Sequence, residues 1–215
     1  NAKLATMHPE IRERLPIIIL MIVVIAATFY DWTVGLSSWM AVPVELAGAW
    51  DQALSGNFSD GVIAELATVI GANLLHGDGH HLLGNMLLFW IFGAVVLEIV
   101  GWRWLVAIAL TTGIGAVVCH TLLDPSSPIP MLGASGIVMG FMGAYLGLSV
   151  KRPRGNTQVW PIATPVSPTQ LAGVGVFGIM MDFMGVTGPD LTNIAYGAHI
   201  GGFATGIVMS LLRRG

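Results

Sequence analysis

Four residues of this chain have types and spacings that suit acyl-transfer chemistry: Ser135, His199, His81 and Asn85. A serine hydroxyl is a weak nucleophile near neutral pH and needs a base. A neutral imidazole can take its proton on attack and return it to a leaving amine. Ser135 lies among small residues, in Gly133-Ala134-Ser135-Gly136, at the mouth of a long apolar segment. A hydroxyl buried there without a partner costs roughly 1–3 kcal/mol, so it must bond back to its own helix or face another polar group. His199 is the candidate partner and base. A developing oxyanion also needs donors fixed in a water-poor site, each worth about 2.7–4 kcal/mol. The Ser135 backbone N–H and the side chains of His81 and Asn85 would supply them. The competing readings are a serine bonded to its own helix and a histidine satisfying a carbonyl, and each residue taken alone fits those better.

The elements that must position these residues follow from composition. The 215 residues are 54% hydrophobic and 10% charged, with a mean hydropathy of +0.77. That is too apolar for a soluble domain with a polar shell, so the chain reads as an integral membrane protein. About 20 apolar residues cross a bilayer, and six windows qualify, at roughly 15–30, 81–100, 104–122, 132–150, 171–184 and 193–212. The expected fold is all-α: a six-transmembrane-helix bundle in a single domain spanning residues 1–215. Residues 1–14 form a cytoplasmic N-terminal segment and 31–80 a long external first loop. No small-residue cleavage site follows the first apolar run, which is therefore read as a retained span and not as a removed signal peptide. Every Lys and Arg (Lys3, Arg12, Arg14, Arg103, Lys151, Arg152, Arg154, Arg213 and Arg214) falls on one side if the spans alternate. Both termini are then cytoplasmic, and the membrane is the cell's inner membrane. Trp32, Trp39 and Trp50 in the first loop suit a segment lying in the outer interface and packed on the bundle.

Alternation also sets depth. The second, fourth and sixth spans run in the same direction, so residues near their N-terminal ends share one level. His81 and Asn85 open the second span at i, i+4; Ser135 lies a few residues into the fourth, and His199 about six into the sixth. Glycines indicate which faces meet. Gly136, Gly140, Gly143 and Gly147 form a stripe on the fourth span, and Gly202 and Gly206 follow His199 on the sixth. Small-residue stripes let helix backbones approach closely. Packed through them, Ser135 and His199 would come within hydrogen-bond reach, about 2.6–3.2 Å for a nucleophile and its base. No acid shares this depth on these three spans, so a dyad is expected; Asp182 is the one acid inside the fifth span.

Together these residues resemble the rhomboid family of intramembrane serine proteases. The matching motifs are His76-x4-His81-x3-Asn85, Gly133-Ala134-Ser135-Gly136 and Ala198-His199-x2-Gly202-x3-Gly206, in order on alternate spans. The resemblance covers the helical core from about Leu75 to the end. It implies the six-span bundle, a Ser135–His199 dyad, oxyanion assistance by His81 and Asn85, and cleavage of the transmembrane or membrane-proximal segments of other membrane proteins near the outer boundary. It implies no cofactor. The chain departs from well-known bacterial members at Met139, where they carry a Tyr against the catalytic His, and its first loop has no Trp-Arg pair. A thioether can fill the aromatic volume and touch the imidazole.

Two other classes compete. His76-Gly77-Asp78-Gly79-His80-His81 offers three imidazoles and a carboxylate in six residues, as a metal-binding or transport protein would. Against it, that reading leaves Ser135 and His199 unexplained. A catalytically silent rhomboid-like binding protein is the third reading, and it has little need for both serine and base. No basic stripe with interleaved aromatics points to nucleic acid. The lone Cys119 lies in an apolar run and is read as a small core residue. The expected partners are membrane-protein substrates and the lipid bilayer, with no metal and no nucleic acid.

Overall fold

The computed structural model describes residues 9–151, 166–183 and 195–213. Among these the chain is all-helical, with eight α-helices: α1 (Pro9–Val34), α2 (Pro43–Leu54), α3 (Asp60–Gly71), α4 (Gly79–Val100), α5 (Trp102–Leu123), α6 (Ser135–Lys151), α7 (Pro168–Phe183) and α8 (Tyr196–Leu212). Short 3-10 turns at Ser37–Trp39 and Ala72–Leu74 flank α2 and α3. The expected Lys151–Gln170 link and the Thr187–Asp190 corner fall mainly outside the described residues.

Helix ends follow local chemistry. The Asp78 carboxylate caps α4, accepting from the backbone N–H of His80 at 2.8 Å and of His81 at 2.9 Å. Gly101, at φ 79°, closes α4 and opens α5 in a conformation a side chain would disfavour. Asp31 accepts from the Leu36 N–H at 2.6 Å just past the end of α1. By length and composition, segments Glu13–Val34, Gly79–Val100 and Trp102–Leu123 can each cross a membrane; Ser135–Val150 and Tyr196–Leu212 are shorter apolar helices. The long first loop is not a plain connector, because α2 and α3 form within it.

The core gathers around α4, α5 and α6, with Phe89, Phe92, Leu105, Ile108, Phe141 and Tyr145 all essentially inaccessible. The Phe89 and Phe141 rings meet edge to face, 5.0 Å between centroids. Helix α1 is peripheral, its spanning window 22% buried against 56% for α4. Its N-terminal part is held by Arg14, whose guanidinium lies 5.4 Å over the Trp90 ring.

Small residues govern the contact between α6 and α8. A Cβ at Gly202 would collide with the carbonyl of Gly136, one at Gly206 with that of Gly140, and one at Gly143 with that of Phe203. These are backbone-to-backbone approaches that only glycine permits. The expected single stripe on α6 is split, however. Gly136 and Gly140 turn their open faces to α5, receiving Ala116 and Thr112, while Gly143 and Gly147 receive Phe203 and Ser210 of α8. The spacing i, i+4, i+7, i+11 wraps enough of the helix to serve two neighbours.

Candidate active site

The expected positions of two site residues along their helices need correcting. Ser135 is the first residue of α6 and not a few residues into a helix from 132; His199 is the fourth of α8 and not about the sixth of one from 193. The cause at Ser135 is Gly133, whose φ of 128° is incompatible with continuing a helix backwards. Starting a helix at the serine has a chemical consequence, since its first N–H groups lack intrahelical partners and carry the positive end of the helix dipole.

The α6–α8 seam brings Ser135 and His199 together across 64 positions of sequence, with Ser135 Oγ 2.9 Å from His199 Nε2. Both are half-buried. On the other side of the serine, Gly133 leaves room for the residues of α4. A Cβ there would lie 2.9 Å from both Cε1 and Nε2 of His81, and 3.7 Å from the amide nitrogen of Asn85. Asn85 is 8% exposed, and its Nδ2 is buried with no hydrogen-bond partner. A buried amide donor left unsatisfied beside a serine is unfavourable by roughly 1–3 kcal/mol in the resting protein and is available to an incoming oxygen.

His76 lies in the same site, and the metal reading of its neighbourhood does not fit the geometry. The three imidazoles do not gather around one point: His76 and His81 pack ring against ring, and His80 points away into the open. His76 is fully buried, His80 is fully exposed, and the Asp78 carboxylate is engaged in capping α4. Among the described residues no three His, Cys, Asp or Glu side chains are grouped to hold a metal. Instead His76 Nε2 accepts the backbone N–H of Ala134 at 3.3 Å, and its ring meets that of His81 edge to face at 4.9 Å. Its Nδ1 lies 3.1 Å from Thr28 Oγ1, and the Trp32 indole N–H donates to its carbonyl at 2.8 Å. Burial, and secondarily the charge His81 could carry, push the His76 pKa down to about 4 against the opposing pull of Asp78.

Three further hydrogen bonds tie the approach to Ser135 to the first loop. Ala41 and Met131 exchange N–H···O bonds at 3.2 and 2.7 Å, and Gly133 N–H donates to the Ala72 carbonyl at 2.8 Å. None of these loop partners, nor Thr28 or Trp32, was apparent from the sequence. The available signal was Thr28, the one hydroxyl in the apolar run 15–29, with Trp32 one turn on. Met139 is buried in the core at 7% exposure. Asp182 belongs to α7, and its side chain lies outside the described residues.

Residues 64–215 match the family model described as Rhomboid domain. The chain belongs to the rhomboid family. The match takes in α4 to α8 and most of α3, so every residue of the site except Thr28, Trp32 and Ala41 lies within it. No curated protein matches the chain. Rhomboid-family membership and the apolar helices make this an integral membrane protein.

Proposed function

We propose that this rhomboid-family chain is an intramembrane serine endopeptidase that cleaves transmembrane or membrane-proximal segments of other membrane proteins. The observation that carries the reading is the 2.9 Å contact between Ser135 Oγ and His199 Nε2. At that distance the imidazole takes the hydroxyl proton as Oγ attacks a substrate carbonyl, then returns it to the leaving amine. The negative charge on the tetrahedral oxygen is met by the N–H at the start of α6 and by the side chains of Asn85 and His81, beside Gly133. The unsatisfied Asn85 amide supports that role, because it has no competing partner to give up. No step calls for a metal or a cofactor.

The membrane arrangement that serves this chemistry has six spans with both termini on the cytoplasmic side, in the cell's inner membrane. With six alternating spans the nine Lys and Arg residues would all fall on that side, which supports this orientation. Helix α6 has 17 residues, a rise of roughly 25 Å against a hydrocarbon thickness of about 30 Å. With Lys151 at the basic side, its N-terminus and Ser135 would stop short of the outer surface. That depth suits attack on a helix end near the outer boundary.

The test is cleavage of a membrane-anchored reporter by the purified protein in liposomes. The wild type cleaves, while Ser135→Ala and His199→Ala each reduce the rate to background and a chelator leaves the wild type unaffected. Undiminished cleavage by Ser135→Ala, or its arrest by chelation, refutes the assignment.

A further inference from the structure

Residue 76 is held from α1 in two ways, by Thr28 at its ring and by Trp32 at its carbonyl, from positions i and i+4 on one helix face. The tautomer follows from the network. Thr28 Oγ1 donates its only proton to the Leu74 carbonyl at 3.0 Å, so towards His76 it can only accept. His76 Nδ1 therefore carries the ring proton and Nε2 is the bare acceptor, which is what the Ala134 N–H requires. The opposite tautomer would set two donors against each other at Nε2 and two acceptors against each other at Nδ1.

The geometry points to a positioning role: we propose that Thr28, by fixing the tautomer of His76, orients the Gly133-Ala134 turn and with it the hydroxyl and N–H of Ser135. The proposal rests on reading Ser135 as the nucleophile. His76 touches no reacting atom, but it touches both sides of the site. Its Nε2 holds the residue before the serine, and its ring edge supports His81. Gly133 is held separately by Ala72, and Met131 by Ala41, so the Ala134 bond is the last constraint before the helix begins. Errors of about 1 Å in a reacting atom lower rates by roughly a hundred-fold, which explains why a buried imidazole is used for what looks like a scaffolding task.

The charge state agrees. His76 faces His81, Asp78 and the hydroxyl of Thr28, and with a pKa near 4 it stays neutral wherever a serine–histidine dyad operates. Because the folded pKa lies below the ordinary 6.5, the unfolded chain binds more protons between those values. The contribution of this group to stability is then complete above about pH 6.5 and is lost as pH falls towards 4.

Two measurements test the proposal. In wild type and in Ser135→Ala, ring nitrogen-15 shifts of His76 should show the Nδ1–H tautomer at pH 7. Kinetically, Thr28→Val should lower kcat roughly ten- to a hundred-fold with KM nearly unchanged, and Thr28→Ser should restore it. An Nε2–H tautomer, a Thr28→Val variant with wild-type kcat, or a loss of rate that merely tracks loss of folded protein in a thermal melt would each overturn it. The nitrogen shifts do not depend on turnover. If Ser135→Ala still cleaves while the tautomer is as stated, the protease reading fails and the structural clamp stands.

Discussion

Two contacts position Ser135, and they are built in opposite ways. On one side α6 meets α8 through glycines, with carbonyls seated where side chains would be. On the other side the segment 131–134 is held to the first loop and α1 by directional bonds from Ala41, Ala72 and His76. The first contact sets a distance, that between two helix axes and hence between Oγ and Nε2. The second sets an orientation, that of the turn that starts α6. Backbone-to-backbone packing tolerates no added atom, whereas a set of hydrogen bonds can lose one member and keep the rest. The two sides should therefore fail differently, the seam abruptly and the clamp by degrees.

The largest effect is expected from Gly143→Val. The new side chain would strike the Phe203 carbonyl, a backbone atom that cannot rotate away. Overpacking of this kind typically costs about 1–3 kcal/mol, and the displaced α8 would carry His199 out of reach. Cleavage should fall to background with a lowered melting temperature in detergent. Retained activity would mean that the seam does not set the dyad distance.

Next come the donors. His81→Ala and Asn85→Ala should each slow cleavage roughly 10²–10³-fold while melting close to wild type, because neither residue lies in the seam. Asn85→Ala should even melt slightly higher, since it removes a buried amide with no partner. Full activity in both single variants and in the double variant would remove them from the site.

The smallest effect marks a region outside the comparison. Gly48 lies within α2 with nothing near its missing side chain. Gly48→Ala should raise stability by about 0.5–1 kcal/mol through helix propensity alone and leave cleavage unchanged. A loss of activity would show that α2 moves during catalysis.

The same contrast explains what could be read from the sequence. The glycine seam was legible, because Gly136, Gly140, Gly143, Gly147, Gly202 and Gly206 recur at helical spacing and small residues at such spacing have few other uses in a membrane. The pairing of Ser135 with His199 followed from it. Which neighbour each glycine faces was not legible, since a helical wheel has no knowledge of a third helix. The exact start of α6 was missed because Gly133 reads as one more small residue until its φ is known. The clamp was invisible for a deeper reason. Backbone acceptors such as the carbonyls of Ala41, Ala72 and Leu74 leave no trace in residue type. His76 stood both in the rhomboid-like motif and in the competing metal cluster with Asp78 and His80, with no role of its own, and its burial and its two nitrogen partners are what separate it from that cluster.

The central claim is that His199 makes the Ser135 hydroxyl nucleophilic, and covalent capture tests it without any choice of substrate. A fluorophosphonate probe should label the folded protein once, at Ser135, as mapped by peptide mass spectrometry. Labelling should vanish in both Ser135→Ala and His199→Ala, because a hydroxyl without a base is almost inert to phosphonylation. Labelling of His199→Ala at the wild-type rate, or at a residue other than Ser135, would contradict the account.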